Sequence, residues 1–246
     1  MSKPSLILFD LDGTLLPLDQ DAFLKLYFSA LAKKVSPYGY EPDKLVHALW
    51  KGVGAMVAND GTMTNDARFW ETFSGLLDEN ILHYMPVFED FYRNEFHMAK
   101  DASAPAPLAK DVIAAAKDTG AKVVLATNPL FPVCAVETRL SWIDLTIDDF
   151  DYVTTYETNR YCKPNPAYYR DILTHIGTTP EQTLMIGNDI NEDILPTQSL
   201  GIASFLLTDC VIWEKDKESV IPGGVPAGNY AELLEFLKKY NQQFQL

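Results

Sequence analysis

Short apolar runs alternate with segments of helical periodicity over most of the chain, and this pattern predicts its secondary structure. Uninterrupted apolar runs are typical of strands that are buried on both faces of a parallel sheet. Such runs lie at residues 5–9, 121–126, 183–186 and 202–207, with a weaker one at 151–154. The helical segments between them begin at a proline, and most end at a glycine: residues 107–119, 132–142, 166–176 and 196–200. This alternation predicts an α/β core built from right-handed βαβ units on a doubly wound, Rossmann-like parallel sheet.

Residues 16–104 break this alternation and predict an all-helical domain inserted after the first strand. Helical patterns occur at residues 19–35, 42–57, 65–80 and 86–100. Apolar stripes run from Phe23 to Leu31 and from Phe69 to Leu77, and we interpret them as core or interdomain packing. A proline- and alanine-rich linker at 102–107 returns the chain to the sheet. The predicted domains are therefore a core of residues 1–15 and 105–246 and a helical cap of residues 16–104.

The C-terminal part of the chain is predicted to support the sheet and to carry no chemistry. Residues 213–228 have the composition of a connection, first charged and then rich in glycine and proline. Residues 230–240 have the spacing of an amphipathic helix, with Leu233, Leu234 and Leu237 on one face. We expect this helix to cover the sheet edge.

The chain is strongly acidic, which restricts its partners. Its 246 residues carry a formal net charge of −14 at pH 7. Long-range repulsion acts against nucleic acid and anionic lipid, so we expect neither nucleic acid nor a membrane as a partner. The same field repels a phosphorylated substrate. A site for such a substrate must therefore supply its own local positive charge.

Cysteine usage and the N-terminal sequence favour a cytoplasmic location. The three cysteines are scattered and lack CxxC spacing, so they form neither a disulfide framework nor a zinc site. The first apolar run is too short for a signal peptide. No apolar run reaches the roughly 18 to 20 residues of a membrane span. We therefore expect a protein of the reducing cytoplasm.

Two aspartates follow the first predicted strand, in the motif DLDGT. Asp10 and Asp12 stand at the carboxyl end of that strand, where open α/β sheets bind ligands. Two carboxylates packed together cost free energy unless a cation or a proton compensates them. Taken alone, the motif also suits an ordinary turn after a strand, because Asp and Gly are common there.

Three further motifs place polar residues at later strand ends. Thr127 and Asn128 offer a hydroxyl and an amide that can donate hydrogen bonds to phosphoryl oxygens. Lys163, in the sequence KPNP, stands directly before a predicted helix, and Asp189 and Asp193 are four residues apart after another buried strand. Each motif alone also fits a turn, a solvated charge or a helix-capping loop. The acidic cluster suits Mg²⁺ better than zinc, because Mg²⁺ favours carboxylates and retained waters.

Together, in this order, these motifs resemble those of the haloacid dehalogenase superfamily. Its pattern is DxDGT, a Ser or Thr at a strand end, a distant Lys often followed by Pro, and a final acidic loop. The resemblance covers most of the chain, and the insert resembles the helical cap of a subgroup that contains many small-molecule phosphatases. It implies a Mg²⁺-dependent phosphatase that hydrolyses a small phosphorylated metabolite through an aspartyl-phosphate.

The resemblance also implies a role for each catalytic residue. Asp10 attacks phosphorus, and Asp12 protonates the leaving oxygen and then takes a proton from the hydrolytic water. Thr127 holds a phosphoryl oxygen with the help of the Asn128 backbone, and Lys163 balances the charge on the nucleophile and the phosphoryl group. These roles suit phosphoryl transfer, which depends mainly on positioning and electrostatic stabilisation.

The same resemblance implies that the metal is held at the strand ends. The ligands implied are the Asp10 carboxylate, the Asp12 backbone carbonyl and Asp189, with Asp193 close by or acting through water. Asn188 separates Gly187 from Asp189, a small departure from the commonest form of the motif. The division of work between the two later aspartates therefore stays open.

Other reactions and a non-catalytic role are the alternatives. A phosphomutase on the same scaffold would return the phosphoryl group from the enzyme to the substrate. A carbon–halogen hydrolase needs no acid at the position of Asp12, so that residue argues against it. A phosphonate-cleaving enzyme needs a Schiff-base lysine in the cap, and no cap lysine stands out. A metal-binding regulatory protein would be expected to have lost a motif residue, and all are present.

Two features of the cap are weaker candidates for substrate contact. The loop at residues 58–65 has strong turn chemistry and is a candidate to reach into the site, although a plain connection between helices is favoured. Lys33, Lys34, Lys51 and Arg68 are candidates to meet an anionic substrate, although a solvated surface position is expected for each.

Overall fold

Six parallel strands form one sheet in the computed structural model, which describes residues 3–213 and 220–243. The strands are β1 (Leu6–Phe9), β2 (Lys122–Leu125), β3 (Tyr152–Val153), β4 (Thr183–Gly187), β5 (Ala203–Leu207) and β6 (Ala227–Gly228). Their order is β3-β2-β1-β4-β5-β6, so the sheet winds outward in both directions from β1. The predicted doubly wound fold is confirmed. The edge strand β6 was not predicted, because a strand of two residues is too short to show a pattern of apolar and polar side chains.

The helices agree with the predicted ones in position and differ mainly in length. They are α1 (Gln20–Val35), α2 (Pro42–Val57), α3 (Asn65–Leu76), α4 (Met85–Arg93), α5 (Ala109–Asp118), α6 (Val133–Ser141), α7 (Pro166–Ile176), α8 (Leu195–Ser199) and α9 (Tyr230–Gln243). Short 3₁₀ helices at Glu79–Tyr84 and Glu95–Ala102 follow α3 and α4. No helix of the described ranges is long and apolar enough to cross a membrane.

The central strand is buried on both faces, as its apolar run predicts. Leu6 and Leu8 point to one face and pack with α7, whereas Ile7 and Phe9 point to the other and join the larger apolar cluster. All four side chains are fully buried. The side chains within the strand are thus taken up by packing, and side chains that can serve chemistry are expected at the carboxyl edge of the sheet.

The insert between β1 and α5 is helical, and its entry and exit segments lie side by side. Leu18 forms an antiparallel bridge with Ser103. The Asp19 amide donates to the Ala102 carbonyl at 3.0 Å, and the Ala104 amide donates to the Pro17 carbonyl, also at 3.0 Å. These bonds hold the two linkers of the insert together.

Two predicted cap helices end early, and each break has a local cause. The helix predicted at 65–80 stops at Leu76, because the Asp78 side chain accepts the Asn80 amide and caps the 3₁₀ helix that follows. The helix predicted at 86–100 stops at Arg93, where the Asn94 side chain donates to the Asp90 carbonyl at 3.0 Å. Polar side chains that bond their own backbone thus divide each long apolar pattern.

The C-terminal helix α9 is longer than predicted and packs against α5 and the end strands β5 and β6. Leu233 and Leu237 are buried, and Leu234 packs partly buried against the same cluster. The predicted connection at 213–228 is described only in part, because residues 214–219 lie outside the described residues.

Candidate active site

The predicted site residues come together at the carboxyl edge of the sheet. Asp10 directly follows β1, Thr127 follows β2, and Asp189 follows β4. Since the three strands are parallel neighbours, their ends share one edge. One cavity of about 360 Å³ is lined by Asp10, Asp12, Thr127, Asn128, Asp189 and Asp193. The remaining predicted residue, Lys163, lies behind its wall.

Lys163 is the buried counter-charge of the site. Its ammonium Nζ lies 2.7 Å from Asp10 Oδ1 and 2.7 Å from Asp193 Oδ1, and its side chain is fully buried. Burial alone would lower the pKa of Lys163, but the two carboxylates outweigh burial and hold it well above its ordinary value. A permanent positive charge therefore sits against the predicted nucleophile.

Asp193 positions Lys163, and both of its carboxylate oxygens are engaged. Oδ1 pairs with the lysine, and Oδ2 accepts the backbone amides of Asn188 and Asp189 at 3.1 Å each. Gly187 makes this approach possible, because a Cβ atom there would lie 2.3 Å from Asp193 Oδ2. Burial raises the pKa of Asp193, and the nearby ammonium opposes that shift.

Asp189 faces the cavity and begins the loop that carries Asp193. Its Oδ1 accepts the amides of Asn191 at 2.7 Å and Glu192 at 2.9 Å, which caps a single π-helical turn at Ile190–Ile194. Burial raises the pKa of Asp189, and the Asp10 carboxylate adds to the rise. The two carboxylates are thus close enough to interact.

Thr127 and Asn128 are held by the loops around them. The Thr127 carbonyl accepts the Thr154 hydroxyl at 2.6 Å and the Tyr168 hydroxyl at 2.9 Å. The Asn128 side chain accepts the Lys163 amide at 3.2 Å and donates to Glu192 Oε2 at 3.0 Å. The Asn128 side chain thus connects the loops after β2 and β4 with the lysine loop.

Arg139 is a site residue that the sequence analysis missed. It lies in α6 and is fully buried, and its Nη1 forms an ion pair with Asp12 Oδ2. Its guanidinium also covers the Phe131 ring, 4.5 Å from the ring centroid. Burial raises the pKa of Asp12, and Arg139 opposes the rise. One sequence feature could have revealed Arg139 as a buried residue: it stands at helical spacing with Ala135, Trp142 and Ile143, inside an apolar stripe.

Asn188 and Glu192 also line the cavity, and the sequence did not identify them as site residues. Asn188 Oδ1 accepts the Thr14 hydroxyl at 2.9 Å, and its amide nitrogen donates to the Cys210 carbonyl at 2.7 Å. Gly13, with φ +86°, allows this contact, because a Cβ there would lie 2.2 Å from the Asn188 amide nitrogen. Gly13 and Thr14 of the DLDGT motif therefore dock the first loop on the last one.

The roof of the cavity comes from the inserted helices. The roof side chains are mainly aromatic or aliphatic: Gln20, Leu24, Tyr27, Phe28, Leu49, Trp50, Val53, Phe69, Trp70, Phe88 and Tyr92. The two apolar stripes that were interpreted as packing are largely buried, although Leu76 of the second stripe is exposed, and several of their members also line this cavity.

The cap loop at residues 58–65 does not line the cavity. It contacts the core segment before Lys163: the Asn65 amide donates to the Asn159 carbonyl at 2.8 Å, and Arg160 Nη1 donates to the Gly61 carbonyl at 3.2 Å. The Asn65 side chain also donates to the Pro129 carbonyl at 3.2 Å. The favoured prediction of a connection between helices thus agrees with the structure, and the loop also joins the helical insert to the core.

Comparison with known proteins decides the family. A family model described as haloacid dehalogenase-like hydrolase matches residues 4–201. The chain belongs to the haloacid dehalogenase-like hydrolase family. The prediction of a hydrolase of this superfamily, made from the four motifs, is confirmed.

Individual members of the family resemble the chain to different extents. A glyceraldehyde 3-phosphate phosphatase from Methanothermobacter thermautotrophicus is 32% identical over 76 residues, which span 31% of this chain and 33% of that protein. The match thus covers about a third of the relative's length. A 2-haloacid dehalogenase from Pseudomonas syringae pv. Tomato is 17% identical with a TM-score of 0.61, covering 96% of this chain and 99% of that one.

A second solved structure carries a metal ion. YfnB from Bacillus subtilis, described as a HAD hydrolase, was solved bound to magnesium; it is 20% identical with a TM-score of 0.53, covering 96% of this chain and 99% of that one. At this identity the two structural likenesses establish the shared fold.

The Arg139–Asp12 pair gives a stability prediction. Replacing Arg139 with Met leaves the Asp12 carboxylate beside an apolar side chain, and breaking a buried ion pair costs about 3–5 kcal/mol. We expect the free energy of unfolding of Arg139→Met, measured by urea denaturation, to fall by about 3 kcal/mol.

Arg93→Met is the matched control, because Arg93 pairs with Glu89 on the surface of α4. We expect its free energy of unfolding to stay close to that of the unmodified protein, since exposed pairs contribute little. Equal, small effects of the two substitutions would show that Arg139 does not anchor Asp12.

Proposed function

We propose that the protein is a Mg²⁺-dependent phosphatase that hydrolyses a small phosphorylated metabolite through an aspartyl-phosphate on Asp10. The observation that carries this proposal is the Asp10 carboxylate, which faces the cavity while its Oδ1 is held 2.7 Å from the buried Lys163 ammonium. The family membership and the name of the partly matching phosphatase support the same reaction class.

Asp10 attacks the phosphorus atom and displaces the alcohol oxygen of the substrate. The P–O bond to the alcohol breaks as the bond to the Asp10 carboxylate forms, which divides the reaction into two easier displacements. Lys163 stays charged throughout and offsets the negative charge that gathers at the nucleophile. Thr127, which lines the same cavity, donates its hydroxyl to a phosphoryl oxygen.

Asp12 carries the proton in both steps. It gives a proton to the departing alcohol oxygen and then removes one from the water that attacks the phosphoryl-enzyme. Its orientation is set by Arg139, which holds Oδ2 and contributes no proton of its own. A carbon–halogen hydrolase has no use for this second carboxylate, so its place beside Asp10 favours phosphate chemistry.

The residues present suit Mg²⁺. Asp10 and Asp189 supply carboxylates at one end of the cavity, and the Asp12 carbonyl is the third protein ligand that the family resemblance implies. Mg²⁺ is usually held by one or two carboxylates, with waters and substrate phosphate completing the shell. Two protein carboxylates therefore suffice, and within residues 3–213 and 220–243 no three His, Cys, Asp or Glu side chains are grouped so that they alone could hold a metal ion. When bound, the ion would neutralise phosphoryl charge.

Asp189 is the better candidate for the later metal ligand. Both oxygens of Asp193 are engaged by Lys163 and by backbone amides, whereas Asp189 uses Oδ1 for its loop and faces the cavity. We therefore assign metal binding to Asp189 and the positioning of Lys163 to Asp193.

Residues 16–104 act, in this proposal, as a cap. Their base is fixed by the paired linkers around Leu18 and Ser103, and their helices form the roof of the cavity. A roof over the site excludes bulk water and leaves room for the substrate and the hydrolytic water.

Removal of the nucleophile tests the reaction. We expect Asp10→Asn to lower the Mg²⁺-dependent hydrolysis of p-nitrophenyl phosphate on the order of 10⁴-fold or more, because a neutral amide cannot accept the phosphoryl group. Asp43→Asn, on the exposed first turn of α2, is the matched control and should retain full activity.

Each contrary outcome has a meaning. Retained turnover in Asp10→Asn would overturn the covalent mechanism. A well-folded unmodified protein that hydrolyses no phosphate would favour the regulatory metal-binding alternative, and phosphoryl transfer to a second sugar phosphate without release of inorganic phosphate would favour the phosphomutase.

The metal assignment gives a separate prediction. We expect activity to disappear on chelation and to return with Mg²⁺, and Asp189→Asn to raise the half-saturating Mg²⁺ concentration by at least about 10-fold. Asn still caps the loop, so the metal-free protein should keep its melting temperature.

Asp193→Asn provides the contrast, because it breaks a buried ion pair with Lys163 and should lower the melting temperature of the metal-free protein. The assignment would be wrong if Asp193→Asn weakened Mg²⁺ binding without changing the melting temperature of the metal-free protein, while Asp189→Asn lowered that melting temperature.

A further inference from the structure

The cavity has a charged floor and an apolar roof. Among the described residues, the acidic side chains that line it all come from loops at the strand ends of the core, whereas the cap contributes aromatic rings, aliphatic side chains and the amide of Gln20. Such a division separates the phosphoryl group from the rest of the substrate. The part of the substrate beyond the phosphate must therefore lie among aromatic rings.

The two tyrosine hydroxyls of the roof are hydrogen-bonded to each other. Tyr27 and Tyr92 share a hydrogen bond of 2.9 Å between their hydroxyl oxygens. Burial raises the pKa of Tyr27 to about 12 and that of Tyr92 well above its ordinary value, so both phenols are neutral. Because one hydroxyl donates to the other, the pair keeps a single O–H that could donate to a ligand, and the two rings otherwise present apolar surface.

The charged residues of the cap lie elsewhere. Lys34 pairs with Asp90 and Glu95, and Arg68 forms an ion pair with Glu71. Within the part of the chain that the structure describes, no Lys, Arg or His lines the cavity. A second anionic group under this roof would thus meet apolar side chains with no counter-charge from the described residues, which is strongly unfavourable.

The cavity is large enough for one or two rings beyond the phosphate. Its volume of about 360 Å³ lies at the lower end of the range for ligand pockets, roughly 300–1,000 Å³. Trp50, half-exposed at 48%, lies 5.2 Å from the Phe28 ring centroid at the edge of this roof. A flat group that enters beside Trp50 can stack on aromatic rings along its length.

We propose, on the basis of the phosphatase function above, that the substrate is a phosphate monoester of an uncharged aromatic or similarly apolar alcohol. The phosphoryl group lies over Asp10, and the alcohol part contacts rings such as Phe28, Trp50 and Phe131. Bisphosphates and phosphorylated carboxylic acids are poor substrates, because their second charge meets the apolar roof.

A matched set of alkyl phosphates tests this specificity without differences in leaving-group reactivity. Benzyl phosphate, 4-carboxybenzyl phosphate and glycerol 3-phosphate are compared by kcat/KM at saturating Mg²⁺. We expect benzyl phosphate to exceed 4-carboxybenzyl phosphate by about 100-fold and glycerol 3-phosphate by at least about 10-fold. Equal or better hydrolysis of the carboxylated compound would overturn the proposal while leaving the phosphatase function in place.

A binding measurement separates failure of this inference from failure of the proposed function. Calorimetry with benzylphosphonate and 4-carboxybenzylphosphonate needs no turnover. Tighter binding of benzylphosphonate than of its carboxylated analogue, without hydrolysis of any phosphate, would remove the phosphatase assignment and support the cavity specificity. Equal binding of the two compounds would overturn the specificity whatever the turnover.

Paired lysine substitutions on α2 test whether the substrate preference arises in the cavity. Val53 lines the cavity, whereas Val57, four residues later on the same helix, is exposed and does not. We expect Val53→Lys to lower kcat/KM for benzyl phosphate by at least about 10-fold and to narrow its advantage over the carboxylated compound. Val57→Lys should match the unmodified protein.

Thermal denaturation of both variants controls for folding. A folded Val53→Lys protein with an unchanged substrate preference would show that the aromatic cavity does not hold the alcohol part.

Discussion

The site depends on the ion pairs that the buried Lys163 ammonium forms with Asp10 and Asp193. Asp10 and Asp193 come from separate strand ends of a chain with a net charge of −14, and their carboxylates approach one point only because a cation lies between them. Without that charge, the two acids would repel each other in a poorly hydrated space. Lys163 therefore stabilises the assembled strand ends, and in the proposed reaction it supplies positive charge where the phosphoryl group would enter.

A second buried cation pairs with Asp12, the proposed acid–base residue. Arg139 reaches from α6 to Asp12 and also backs the Phe131 ring, which contacts aromatic rings of the inserted helices. One guanidinium thus touches the Asp12 carboxylate and a wall of the cavity. The chemistry of the floor and the apolar character of the roof are linked through this contact, so the orientation of Asp12 and the shape of the cavity depend on each other.

The fold was predictable because apolar periodicity is a local property. The buried strand β1 and helix α7 match their predicted positions, whereas the helices after Asn65 and Pro86 were drawn too long, since Asp78 and Asn94 bond their own backbone and stop them. The DLDGT, Lys163 and Asp189 motifs were recognisable, and the structure brings them to one edge. Arg139 and the tyrosine pair of the roof were not recognisable, because their partners are distant in sequence.

The central claim is that Asp10, balanced by Lys163, accepts a phosphoryl group. The most direct measurement is to mix the protein with substrate and Mg²⁺, quench it within a turnover, and locate the phosphoryl group by peptide mass spectrometry. We expect a hydroxylamine-sensitive acyl phosphate on the peptide that contains Asp10, and its absence from Asp10→Asn. Turnover with no phosphorylated intermediate, or with the phosphoryl group on another residue, would contradict it.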